Sequence, residues 1–96
     1  MIIGPFRLAI SQRFFYVEDK KIELTPIEFE IIRLFMKNNQ RVFSREELID
    51  LVWGFEYYGD TRTVDMHIQR LRKKLGEHKE SIKTVYGIGY QLDVDK

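Results

Sequence analysis

Residues 61–75 of this 96-residue chain, TRTVDMHIQRLRKKL, form its most informative sequence pattern. Its apolar residues recur at spacings of three and four, the period at which side chains share one face of an α-helix. Four residues form that face: Val64, Ile68, Leu71 and Leu75. We therefore expect an amphipathic helix whose apolar face is buried against the rest of the chain.

The other face of the same helix is polar and rich in cations. It carries Arg62, Thr63, Met66, Gln69, Arg70 and Lys73, with Arg72 and Lys74 on its flanks and Asp65 as the one acid in the run. A helix in a DNA major groove, about 12 Å wide, needs long hydrogen-bonding side chains for base edges and cations for phosphates. An ordinary surface helix with a solvated basic face fits the pattern equally well.

Charge is distributed unevenly along the chain. The formal net charge of +1 is low for a nucleic-acid-binding domain. Residues 1–60 hold eight Lys and Arg against ten Asp and Glu, whereas residues 61–96 hold eight against five. The positive field is thus concentrated in the C-terminal third, as expected if one face meets a polyphosphate.

The composition excludes several classes of protein. An apolar content of 44%, with seven Phe, five Tyr and one Trp, suits a single domain with a real core. Without cysteine and with two histidines, neither thiol chemistry nor a zinc site is expected. The sequence lacks a membrane-length apolar run and a signal-peptide pattern. We expect a cytoplasmic protein without a cofactor or bound metal.

The first 24 residues alternate as β-strands do. Phe6, Leu8 and Ile10 share one strand face, Phe14 and Tyr16 form a second short strand, and Ile22 and Leu24 form a third. Polar residues at 11–12 and 18–20 separate these runs. The pattern predicts a small antiparallel meander.

Two capping signals mark the helices that follow. Residues 25–28, Thr-Pro-Ile-Glu, combine a capping Thr, a Pro at the first helical position and a Glu three residues after the cap. Residues 44–47, Ser-Arg-Glu-Glu, repeat the capping box. We expect the first helix to run to about Lys37, packed on two sides, and the second to end near Gly54.

A loop, GFEYYGD, connects the second helix to the third. Its two glycines bracket three aromatic side chains, which suit either a partner surface or a lid over the core. We expect Asp60 or Thr61 at its end to cap the third helix.

A hairpin closes the chain after a polar link at residues 77–81. Two β runs at 82–86 and 90–92 flank the tip Gly87-Ile88-Gly89, which lacks the third glycine and following helix of a nucleotide-binding fingerprint. Sheet, three helices and hairpin in this order predict an α+β winged helix-turn-helix. We expect a single DNA-binding domain over residues 1–96, with its sheet at 1–24, helical core at 25–75 and wing at 82–94.

In a helix-turn-helix, the N-terminal turns of the third element lie nearest the bases. We expect Thr63, Met66, His67 and Arg70 on this inner stripe. Arg70 is the best candidate for specificity because a guanidinium can donate two hydrogen bonds to guanine. The alternatives are an Arg70 paired with an acid, a core Met66 and a purely structural His67.

Other side chains are expected to hold the DNA backbone, which positions the domain without reading sequence. They are Arg62, Arg72, Lys73, Lys83 and Thr84. Gln69 suits either role. Tyr86 or Ile88 at the hairpin tip can touch sugar or backbone, while a tight turn alone is the other interpretation of that tip.

Four segments together resemble the OmpR/PhoB-type winged-helix effector domain of bacterial two-component response regulators. They are LTPIEFEIIRLF (24–35), FSREELIDLVWG (43–54), TRTVDMHIQRLRKKL (61–75) and IKTVYGIGYQL (82–92). They occur in the family's order and spacing and cover nearly the whole chain. The resemblance implies a four-stranded N-terminal sheet, three helices and a C-terminal hairpin. It also implies sequence-specific binding to double-stranded promoter DNA, as tandem copies on direct repeats, in phosphorelay signal transduction.

The resemblance also assigns residues and partners. DNA contacts carry over to Arg62, Thr63, Met66, His67, Gln69, Arg70, Arg72 and Lys73, and around the wing to Thr84 and Tyr90. An RNA polymerase contact carries over to the loop of Gly54, Phe55, Glu56, Tyr57, Tyr58, Gly59 and Asp60. A receiver domain would precede this chain in the full-length protein.

Two positions depart from the family pattern. Some relatives have an Arg at Tyr86 that enters the minor groove, and a Tyr cannot supply that cationic contact. Gln69 replaces a cation of some members, which predicts a shallower salt dependence.

Two other classes of function compete with DNA binding. A winged helix that serves purely as a protein-interaction module usually lacks a cationic stripe such as Arg62, Arg70 and Lys73. An enzyme needs a nucleophile and a base in one pocket, and the sequence offers no such set. We therefore expect no catalytic activity.

Overall fold

The computed structural model describes residues 1–95, which form two antiparallel sheets around three helices. The N-terminal sheet contains β1 (Ile2–Ile3), β2 (Phe6–Ala9), β3 (Phe14–Val17) and β4 (Lys20–Ile22), in that order. The helices are α1 (Pro26–Lys37), α2 (Arg45–Leu48) and α3 (Arg62–Leu75). The second sheet combines β5 (Phe43–Ser44), β6 (Ile82–Val85) and β7 (Gly89–Leu92) in the order β5-β7-β6. This confirms the predicted α+β winged-helix fold, including the fourth N-terminal strand.

Strand β3 buries the opposite face from the predicted one. Phe15 and Val17 are buried, whereas Phe14 and Tyr16 are half-buried on the outer side. All four residues are apolar or aromatic, so alternation alone does not tell which face lies inward. The register of β3 against β2, which places Phe15 opposite the buried Leu8, decides it.

Two further expectations differ from the structure. Ile10 lies one residue beyond the end of β2 and is 40% exposed, so it does not belong to the buried strand face. The link after α3 is a 3-10 helical segment, Gly76–Ser81, with non-helical angles at His78. The imidazole of His78 lies 3.2 Å from the Glu18 carboxylate, which ties this segment to the turn between β3 and β4.

Both predicted capping boxes are present. The Thr25 hydroxyl accepts a hydrogen bond from the Glu28 amide at 3.2 Å, and the Glu28 carboxylate accepts one from the Thr25 amide at 2.9 Å. Ser44 and Glu47 make the same reciprocal pair at 3.0 and 2.9 Å. These bonds satisfy amides that have no partner within the helix, and so fix where α1 and α2 begin.

The second helix is regular for one turn and then widens. After Leu48 the chain continues as a π-helical turn over Ile49–Trp53, which ends where the Gly54 amide donates to the Ile49 carbonyl at 2.9 Å. The predicted end near Gly54 is therefore correct, although the helix leading to it is not uniformly α.

One hydrophobic cluster joins both sheets and all three helices. The third helix contributes Val64, Ile68, Leu71 and Leu75, each at most 2% exposed. The predicted inner face of α3 is thus confirmed, and the rest of α3 is directed outward. Within residues 1–95, no helix is both long enough and apolar enough to cross a membrane.

Candidate nucleic-acid interface

The outward face of α3 presents its predicted polar side chains at the surface. Gln69, Arg70 and Lys73 are exposed, and Met66 is 47% exposed and therefore not a core residue. Within residues 1–95, neither Arg70 nor Lys73 has an acidic side chain within ion-pair distance. Two cations on this face thus remain available to an anionic ligand.

Asp60 caps the N-terminus of α3. Its carboxylate accepts a hydrogen bond from the Arg62 amide at 2.8 Å and pairs with the Arg62 guanidinium at 2.7 Å. Thr61 makes no side-chain capping bond, so the structure selects Asp60 from the two predicted caps. Hydrogen bonds from Arg62 lower the pKa of Asp60, and the carboxylate raises the pKa of Arg62. Because both side chains are exposed, the pair is weak and can exchange for a phosphate.

Asp65 is occupied by partners from two other elements. Its Oδ1 accepts hydrogen bonds from Arg45 Nε at 2.9 Å and from the Tyr90 hydroxyl. Burial and the neighbouring carboxylate raise the pKa of Tyr90. Asp65 and Asp60 are each paired with an arginine, Arg45 and Arg62. Their negative charges therefore reduce the positive potential of the outward face only weakly.

Tyr90 is not at the surface where the resemblance implied a DNA contact. It is 5% exposed, it lies opposite Phe43 across β5 and β7, and its hydroxyl is already donated to Asp65. The structure thus gives Tyr90 internal contacts, and a direct contact of Tyr90 with DNA stays a prediction.

His67 is held from two sides. Its Nδ1 lies 2.7 Å from the Thr63 carbonyl, and the ring packs edge-to-face against Trp53 with centroids 5.2 Å apart. Because a carbonyl oxygen can only accept, Nδ1 carries the proton and Nε2 is the ring atom left for a ligand. These contacts favour the structural interpretation of His67.

Arg72 lies between α3 and the wing. Its Nε and Nη2 donate to the Ile82 carbonyl at 3.0 and 2.8 Å, and Nη2 also donates to the Thr84 hydroxyl at 2.8 Å. The sequence predicted a contact with the DNA backbone. In the structure one edge of the Arg72 guanidinium is instead committed to the wing.

A cleft of about 500 Å³ lies beside Arg72, between the 3-10 segment and the wing. Its lining includes three cations, Arg72, Lys79 and Lys83, and one acid, Glu80. Lys79 was not a candidate from the sequence because it belongs to a segment without periodicity. Arg45, the partner of Asp65, was also missed, because the two residues are 20 positions apart and no local pattern pairs them.

The wing tip exposes two large side chains. Tyr86 is 92% exposed and Ile88 is 59% exposed. Gly87 has a φ of +78°, and a Cβ at Gly89 would lie 1.9 Å from the Phe43 carbonyl oxygen. The fold itself therefore accounts for both glycines, through a turn and a close strand contact.

The loop of residues 54–60 divides its aromatic residues between two roles. Tyr57 is half-buried and packs against Trp53 with ring centroids 6.0 Å apart. Phe55 and Tyr58 are 84% and 95% exposed. Tyr57 thus covers the core, whereas the other two form an exposed aromatic surface.

The fold and the cationic outward face of α3 define a winged-helix domain with the geometry of a helix-turn-helix. A family model described as "Transcriptional regulatory protein, C terminal" matches residues 19–92. The chain belongs to this family.

The individual relatives that match this chain include transcriptional regulatory proteins. YclJ of Bacillus subtilis, an uncharacterized transcriptional regulatory protein, is 53% identical over 73 residues, 75% of this chain and 32% of its own length. The chain spans 32% to 41% of the length of the first curated relatives it matches.

Two solved structures share the fold over nearly the whole chain. The DNA-binding domain of response regulator AdeR, in complex with an intercistronic region, has a TM-score of 0.89 and 29% identity, covering 99% of this chain and 100% of that one. DrrB of Thermotoga maritima, an OmpR/PhoB homolog, has a TM-score of 0.86 and 29% identity, covering 97% of this chain and 43% of that one. The predicted resemblance to the OmpR/PhoB type is confirmed.

Proposed function

We propose that this chain binds specific sequences in double-stranded promoter DNA and regulates transcription as the effector domain of a response regulator. In this proposal residues 1–96 act as one domain, with α3 in the major groove and the wing on the backbone or in the minor groove. The observation that supports it best is the outward face of α3. Arg70 and Lys73 are exposed there without acidic partners in the described chain, while Asp60 and Asp65 are occupied.

The proposed contacts follow from exposure and chemistry. Arg70 reads a guanine, while Thr63 and Met66 offer methyl groups to thymine. Gln69 contacts either a base or a phosphate. The side chains proposed to meet phosphates are Arg62, Lys73, Lys79, Lys83 and Thr84. Phosphate contacts orient the helix so that the base-reading side chains are in register.

Selection of bound duplexes from a random pool tests the proposal. We expect one half-site to be enriched, and two copies of it in direct repeat if the domain binds in tandem. A pool without an enriched sequence, with equal affinity for every duplex, would contradict sequence-specific binding.

Lys73→Ala is expected to weaken binding to all duplexes alike and to lower the slope of log K against log salt by about one unit. The reason is that Lys73 is an exposed, unpaired cation within residues 1–95, which releases a counterion when it meets a phosphate. The measurement is a titration at several salt concentrations. Lys21→Ala, which removes an exposed lysine of the N-terminal sheet, is the matched control. A slope unchanged by Lys73→Ala would remove Lys73 from the phosphate contacts.

We further propose that the loop of residues 54–60 contacts RNA polymerase and that a receiver domain precedes this chain in a longer cytoplasmic protein. The exposure of Phe55 and Tyr58 supports the first proposal, since large apolar groups at a surface favour a protein partner. The share of YclJ that this chain spans, 32%, supports the second.

The double variant Phe55→Ser, Tyr58→Ser is expected to keep its DNA affinity and to lose polymerase recruitment at least about tenfold, since aromatic anchors dominate many interfaces. Recruitment is measured as binding of polymerase to a promoter already occupied by the domain. Tyr57→Phe, which keeps the packing against Trp53, is the control. Undiminished recruitment by the double variant would place the polymerase contact elsewhere.

A further inference from the structure

We infer that Arg72 is a positioning residue that fixes the wing against α3, so that the wing tip meets DNA at a set place. This inference rests on the proposed DNA binding. It starts from the sheet order β5-β7-β6, in which β6 is an edge strand. An edge strand has backbone groups without a neighbouring strand, and the Ile82 carbonyl takes its hydrogen bonds from Arg72 instead.

The contact has a defined geometry. Two nitrogens on one edge of the guanidinium donate to the Ile82 carbonyl, and one of them also donates to the Thr84 hydroxyl. These acceptors are two residues apart on β6, so they fix both the position and the direction of the strand. A Lys has the same charge but no planar fork, and cannot reproduce this set of bonds.

A second contact from α3 holds the other strand of the wing. Tyr90 on β7 donates to Asp65, and Tyr90 lies directly opposite Thr84 in the hairpin register. Asp65 and Arg72 are seven residues apart, two helical turns along one side of α3. Helix α3 therefore makes hydrogen bonds to both members of one cross-strand pair, Thr84 and Tyr90. Without Arg72, the Tyr90–Asp65 hydrogen bond is the one of these contacts that remains, and the hairpin can rotate about it.

The side chains at the wing tip make the placement of the wing important for DNA binding. Tyr86 and Ile88 are uncharged, so they gain contact energy only at short range, through van der Waals contact or a hydrogen bond of the Tyr86 hydroxyl. A cation at the tip would be attracted to DNA over several ångströms. Tyr86 and Ile88 contribute only if the wing already holds them within contact distance of the DNA. The contribution of Tyr86 to binding should therefore depend on Arg72.

A double-mutant cycle between Arg72→Lys and Tyr86→Ala tests the inference on the selected duplex. We expect Tyr86→Ala to weaken binding about fivefold in the parent chain and less than about twofold in Arg72→Lys. Lys73→Ala, combined with Tyr86→Ala, is the control pair and should be additive, because Lys73 makes no contact with the wing among the hydrogen bonds of residues 1–95.

Amide hydrogen exchange of the free chain gives a second measurement that does not involve DNA. We expect faster exchange at residues 83–88 in Arg72→Lys, with α1 and α3 unchanged. If Arg72→Lys does not fold, Thr84→Val removes one acceptor and should give a smaller change at the same amides.

An additive Arg72–Tyr86 cycle with unchanged exchange would overturn the positioning role and leave DNA binding intact. A parent chain without specific binding would instead overturn the proposed function, and the exchange data would still decide whether Arg72 holds the wing.

Discussion

Arg70→Ala is expected to weaken binding to the preferred duplex by about 1–3 kcal/mol and to remove discrimination at one base pair. Arg70 is exposed on the outward face of α3, and the hydrogen bond found for it within residues 1–95 is a 3.6 Å approach of Nη2 to the Met66 sulfur. A thioether is a weak acceptor. The guanidinium therefore keeps the donors needed for the O6 and N7 atoms of guanine.

The measurement is a titration against the selected duplex and each of its single-base variants. Arg33→Ala, which removes an exposed arginine of α1, changes the charge equally and is expected to leave the base preference unaltered. Arg70→Lys keeps the charge but loses the bidentate geometry, and should reduce discrimination more than overall affinity. Equal losses on selected and random duplexes in Arg70→Ala would contradict a base-reading role.

Glu28→Ala is expected to lower the free energy of unfolding by about 3 kcal/mol. Glu28 is 1% exposed, and its Oε1 accepts hydrogen bonds from the Thr25 amide at 2.9 Å and from Lys74 Nζ at 2.5 Å. The substitution removes half of a capping box and leaves the Lys74 ammonium, with 34% side-chain exposure, without its acid. Thermal unfolding should shift down by roughly 12 to 24 °C. A shift no larger than that of Glu46→Ala, at an exposed position, would contradict this.

The same carboxylate predicts a loss of stability in acid. Burial acts to raise the pKa of Glu28, but hydrogen bonds from Lys74 and Thr25 outweigh it, so the pKa lies below its ordinary value. Its stabilisation is therefore complete above the unfolded-state pKa, about 4.3, and is lost as the pH falls through the lower folded-state pKa. Urea unfolding at pH 7 and pH 3 should show a smaller acid loss in Glu28→Gln than in the parent.

Sequence reasoning succeeded where the signal is local. The capping boxes at Thr25 and Ser44 depend on residues three positions apart, and the buried stripe of α3 depends on spacings of three and four. Both are fixed by helix geometry before any tertiary contact forms. The outward direction of Arg70 follows from the same periodicity.

The sequence did not show which polar side chains form hydrogen bonds or ion pairs with residues distant in the chain. Glu28 was expected to cap its own helix, but its pairing with Lys74 spans 46 positions. Tyr90 and Arg72 were both expected at the DNA surface, and both are held by partners from other elements. The face of β3 was ambiguous for a related reason, since only pairing with another strand selects it.

The chain's single tryptophan, Trp53, rests against His67 of α3. An indole emits according to its immediate surroundings, so its fluorescence is an intrinsic reporter in direct contact with α3. Titrations of the unmodified chain can thus be followed without a dye, and any probe-induced artefact disappears.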